Sequence, residues 1–258
     1  MRYGRAQIEK IAADFRAKAG LPQDPPYDIA KAAKLILPLQ VIEIAGLDLE
    51  KIRQWLRHRN LVDTIDDIEA GNRTVHGFIL TQRGSGLIFV DSEDLEAEQR
   101  FTIAHEVSHF LIDHKIPRQK IISRFGDRLE KIMDGELPLK RSDELFALIK
   151  GADIHQRTRS IENDGDGSFR SWINFIAENE ADGLALELLA PQQAVVSEIL
   201  SGKKSLPHQV FTVRCRKLLE QRYGLPTHVA QQYAAELAYF VTNGTSLLRK
   251  LGYKSRNS

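Results

Sequence analysis

The segment RFTIAHEVSHFLIDH, residues 100–114, constrains this chain more than any other stretch. On an α-helix, residues four apart project from one face a turn apart. His105 and His109 therefore aim ring nitrogens at one point, with Glu106 beside them. Two neutral imidazoles able to share a metal ion, next to a carboxylate able to take a proton from water, form the donor set of zinc hydrolysis. Random placement of the chain's 8 histidines yields H-E-x-x-H about 2% of the time, so the pattern needs a second motif to support it. Phe101, Ala104, Ser108 and Leu111 give the same helix a small and apolar packing stripe.

A catalytic zinc takes a third protein ligand and keeps its fourth position for water. The pattern H-E-x-x-H-x-x-G-x-x-H fails here, because Ile112 and Lys115 stand where glycine and histidine belong and His114 is one position short. The alternative is a glutamate from a downstream helix, often within E-x-x-x-D. AENEADGLALELLAP, residues 177–191, supplies Glu178 and Asp182 four apart on one helical face. Glu178 is the candidate ligand, and Asp182 can accept an N–H from a ligand histidine and fix its tautomer. Glu180 lies about 200° round the helix from Glu178 and is the weaker candidate.

These two segments resemble the ImmA/IrrE family of zinc metallopeptidases, whose members carry an RFTLAHELGH-type segment and a later E-x-E-A-(N/D)-x-x-A-x-x-L-L-x-P segment. The hairpin GFIL…GLIFV before the first motif is similar to the family layout, and the resemblance covers about 75–200. It implies an α+β, mostly helical, minimal zincin-like fold with a small hairpin packed on the H-E-x-x-H helix. It further implies zinc on His105, His109 and Glu178, and Glu106 as catalytic base. Characterised relatives cleave helix-turn-helix repressors of the Xre type, so a protein substrate of that kind is the expected partner. A non-catalytic scaffold that captures a regulator is the rival reading, and the intact Glu106 speaks against it. Two departures stand out. Glu178 follows His109 by 69 positions, which makes 115–171 an insertion between the two zinc helices. Ser108 replaces the commoner glycine, small for small.

The rest of the chain reads as helices over 5–18, from Asp28, and over 49–59; a strand LQVIEI over 39–44; and a hairpin turning at Arg83-Gly84-Ser85. A long helix runs from Trp172 to Ala190, and helices near 207–222 and 227–240 form a C-terminal extension (207–258) to a peptidase-like domain (1–206). His155 is the first candidate for an oxyanion donor, with Tyr223 and His76 behind it. The strand 77–80 can accept an extended substrate at its edge.

The net charge of +1 gives no general attraction to nucleic acid or membranes. The last helix, THVAQQYAAELAYF, has no Arg or Lys with which to read DNA. Basic residues over Lys51–Arg59 are read as a solvated helix face. ENDGDGS places Ile173 where a calcium loop needs its glutamate, which leaves a solvated turn. The single Cys215 excludes an internal disulfide, and no apolar run is long enough for a membrane span, so a cytoplasmic protein is expected.

Overall fold

The computed structural model describes residues 3–61, 75–134, 136–137, 169–202 and 205–241. Helix α1 (Arg5–Ala19) buries Ile8, Ala12 and Phe15 at helical spacing, and Gly20 ends it in the left-handed conformation. In α2 (Ile29–Ile36), Asp28 is the N-cap rather than a first-turn residue, accepting the Lys31 N–H. Asp48 does the same for α3 (Leu49–His58) through the Lys51 N–H.

Three strands make one sheet: β1 (Leu39–Ile44), β2 (Gly77–Gln82) and β3 (Ser85–Asp91), in the order β1-β3-β2. The hairpin β2–β3 is antiparallel as expected, and β1 joins β3 in parallel. The turn is tighter than expected: Arg83 and Gly84 alone form it, both with positive φ, and Ser85 already pairs with Gln82. Two positive-φ residues match the right-handed twist of a hairpin.

Alternation along the strands divides the sheet's contacts between two layers. Phe78, Leu80 and Phe89 pack with Ile52 and Leu56 of α3, whereas Ile79, Ile88 and Val90 join the main core. Both faces of β2 and β3 are covered, which explains why these two strands read as apolar runs, whereas β1 exposes Gln40 and Glu43.

Helix α4 (Glu96–His109) carries Glu96 and Glu98 at its positive end. It then widens into a π-helical turn over Phe110–Lys115 and resumes as α5 (Ile116–Phe125), followed by α6 (Asp127–Met133). Within the stretch read as an insertion, residues 116–125 and 127–133 are thus helical. The long helix α7 (Phe169–Leu189) stops before Pro191, and α8 (Gln192–Leu200), α9 (His208–Gln221) and α10 (Thr227–Val241) complete the described chain. One continuous apolar cluster joins α1, α2, α4 and α7 to Phe211, Leu219, Tyr233 and Leu237 of α9 and α10. The fold is α+β and mostly helical, with its small sheet packed on α4.

Candidate metal centre

Helices α4 and α7 meet through small residues. Ala104 and Ser108 on α4, and Ala177, Ala181 and Ala185 on α7, are all fully buried. Ser108 folds its hydroxyl back to donate to the Ala104 carbonyl at 2.7 Å, so it introduces no unsatisfied group. Ala181 and Ala185 share the stripe of α7 that carries Glu178 and Asp182, so the close approach delivers both carboxylates to α4.

His105, His109 and Glu178 come together there as a group able to hold a metal ion. The two Nε2 atoms are 3.0 Å apart, and Oε2 of Glu178 lies 3.2 Å from that of His105 and 3.4 Å from that of His109. Tetrahedral zinc with bonds of about 2.0–2.2 Å sets its ligand atoms about 3.3 Å from one another, close to each of these edges.

The outer ring nitrogens fix what the inner ones present. Nδ1 of His105 donates to Oδ1 of Asp182 at 2.8 Å, and Nδ1 of His109 donates to Oδ2 of Asp113 at 2.7 Å. In the neutral rings Nε2 is then a lone pair. Two lone pairs and a carboxylate oxygen face one point, an arrangement that requires a cation among them.

In the metal-free protein a proton fills that need. Burial works against charging His105, but hydrogen bonds to Asp182 and Glu178 outweigh it and push its pKa up to about 10. For His109 the same contest, won by Asp113 and Glu178, ends at about 9. Burial alone would raise Glu178; its hydrogen bonds to both histidines hold it far below the usual carboxylate range. Glu106 is 2% exposed, and burial lifts its pKa against the pull of the two histidines.

The edge strand β2 closes one side of the centre. Its first residue, Gly77, has no side chain for a steric reason: a Cβ there would stand 2.3 Å from Cγ2 of Thr102 and 3.0 Å from Oε1 of Glu106. The strand backbone consequently runs directly beside the Glu106 carboxylate.

Of the residues singled out in the sequence, His105, Glu106, His109, Glu178 and Asp182 gather here. Glu180 points away, buried at 4%, and accepts the Tyr3 backbone N–H at 3.0 Å. His114 lies against Phe110, the rings tilted by 34°, and is not among the grouped ligands. His155 and the ENDGDGS stretch lie outside the described residues. Tyr223 is buried in the main core, its phenol pushed up to about 12 by burial, and His76 is exposed with its ring held by Asp94. Basic side chains of α3 are engaged locally: Lys51 with the Ala45 and Gly46 carbonyls, Arg53 and Arg57 with Glu50. Sequence reading missed Asp113; the signal available was H-x-x-x-D, the i,i+4 spacing continued beyond His109.

No helix among the described residues is long and apolar enough to cross a membrane. Comparison with curated proteins and with solved structures returns no match. Residues 63–134 match the family model described as Peptidase_M78, IrrE N-terminal-like domain. That stretch includes the hairpin, α4 and the H-E-x-x-H pentad, while Glu178 and Asp182 lie beyond it and enter the centre by geometry. The matched segment is thus similar to the IrrE N-terminal-like peptidase family, and the His-His-Glu group arranged for a metal draws His105 and His109 from it.

Proposed function

We propose that this protein is a zinc-dependent endopeptidase, with His105, His109 and Glu178 as metal ligands and Glu106 as general base. The observation that carries the reading is the convergence of three acceptor atoms at 3.0–3.4 Å beside a buried carboxylate. Zinc suits two imidazoles and one carboxylate, and when bound it supplies a Lewis acid that acidifies water and polarises the scissile carbonyl. Glu106 accepts the proton of the attacking water and delivers it to the leaving amine nitrogen. Its burial makes it a stronger base than a solvated glutamate, and so better matched to that proton.

Asp182 keeps the His105 ring oriented across the helix–helix contact. The substrate enters as an extended strand along the outer edge of β2, unpaired among the described residues, where Gly77 lets the backbone pass close to Glu106. Following the family resemblance, that substrate is a repressor of the Xre type. To test this, bound zinc is quantified, and wild type and Glu106→Gln are incubated with Xre-type repressors from the same genome. Stoichiometric zinc in both proteins with cleavage by wild type only is the expected result. Absence of zinc, or equal cleavage by both, overturns the reading.

A further inference from the structure

We propose that Asp113 is a positioning residue of the metal centre, the carboxylate that holds the second ligand histidine, His109, with its Nε2 on the metal position. The proposal rests on the metallopeptidase reading and extends it to a residue that neither zinc motif contains.

Two features separate the His109–Asp113 pair from an ordinary i,i+4 contact on a helix surface, which is worth little. First, both side chains are withdrawn from solvent, His109 to 6% and Asp113 to 12%, and the bond is short at 2.7 Å. A charge-assisted hydrogen bond in that setting is strong. Second, Asp113 lies inside the π-helical turn that interrupts the run from α4 to α5. Such wide turns are rare and cluster at functional sites. This one is supported from outside: the Tyr3 hydroxyl donates to the Ile112 carbonyl at 3.3 Å.

The two ligand histidines are therefore held differently. Asp182 reaches His105 from α7, and its side chain is 51% exposed. Asp113 reaches His109 from the same helical run, so that ring is oriented before α7 contributes anything. Glu178 faces both Nε2 atoms, at 3.2 Å and 3.4 Å, so the difference between the rings lies in the burial of the carboxylate behind each, Asp113 at 12% against Asp182 at 51% exposure. Loss of Asp113 should consequently weaken the centre more than loss of Asp182.

The test uses the full chain and zinc itself, with affinity measured by chelator competition for wild type, Asp113→Ala, Asp113→Asn and Asp182→Ala. Asp113→Ala is expected to bind about 10–100-fold more weakly, Asp182→Ala to lose less, and Asp113→Asn, which keeps an acceptor oxygen, to recover most of the loss. Proton–nitrogen spectra supply a reading that a merely structural role would not move. The slowly exchanging Nδ1 proton of His109 is expected in wild type, shifted upfield in Asp113→Asn, and absent in Asp113→Ala with the His105 signal retained. Wild-type zinc affinity in Asp113→Ala, or a greater loss in Asp182→Ala, overturns the proposal. Should Asp113→Ala not fold, an unshifted His109 signal in Asp113→Asn overturns it equally. A wild-type chain that takes up no zinc defeats the metallopeptidase reading instead, and the Nδ1 signal of the metal-free protein then decides the role of Asp113 by itself.

Discussion

Nε2 of His105 and Nε2 of His109 stand 3.0 Å apart with Glu178 closing the triangle, so the same small volume takes either protons or a metal ion. With the two rings pushed up to about 10 and about 9 in the metal-free protein, zinc must displace protons at neutral pH. Uptake at pH 7.5 is expected to release about one to two protons per zinc, and apparent affinity to climb with pH until the rings have titrated. Calorimetry in buffers of different ionisation enthalpy measures the release. A release of zero would show that the rings are already deprotonated.

The same shifts set the pH dependence of folding stability. Both histidines have folded-state pKa values above the unfolded value, near 6.5. Their contribution is fully present below that value and is lost as pH rises through about 9 and about 10. The Tm of the chelator-stripped protein is expected to fall across this window, and the Tm of the zinc-loaded protein to fall less. Thermal denaturation from pH 6 to pH 10 checks it, and parallel curves for the two forms would contradict it.

Glu106→Gln separates chemistry from binding. The amide keeps the shape of the buried side chain and removes a carboxylate that burial already disfavours. Turnover is expected to drop about 10²–10⁴-fold with zinc content unchanged and stability equal or slightly raised. Metal analysis and a melting curve on the same preparation distinguish this from unfolding.

Gly77→Ala tests the approach of the edge strand. The added methyl would meet Cγ2 of Thr102 at 2.3 Å, so the strand or the helix has to move, at a cost of about 1–3 kcal/mol. Cleavage should fall as well, because the same methyl stands 3.0 Å from the Glu106 carboxylate. Thr102→Ser removes the clashing carbon and is expected to restore stability in the double variant. Additive losses in the two single variants and the double would refute this packing account.

Much of the centre was legible because helical spacing is a local property. His105 and His109 share a face by periodicity, as do Glu178 and Asp182, and pairing the two segments needed only the demand for a third ligand. Asp113 continues the same spacing, but an aspartate four residues after a histidine is common on a helix surface, and only burial distinguishes this one. The parallel pairing of β1 with β3 was not legible. LQVIEI shows a strand and carries no signal for which neighbour it joins. The π-helical turn was hidden for a related reason, since FLIDHK holds no glycine or proline to mark a change of winding. Asp28 was placed one position too far into its helix, within the usual uncertainty of helix ends.

The contact between α4 and α7, lined by Ala104, Ser108, Ala181 and Ala185, has a consequence for how such a protein varies. The ligand atoms are brought together where the two helices touch, and closing the chain between them carries an entropy cost. That entropy grows with the logarithm of length, about 0.6 kcal/mol for each doubling. A metal ion shared by His109 and Glu178 would act as a cross-link over 69 positions and offset such a cost many times over. Changes of length beyond the π-helical turn are therefore expected to leave the ligand atoms in place, whereas one methyl added at the fully buried Ala181 would push the helices apart.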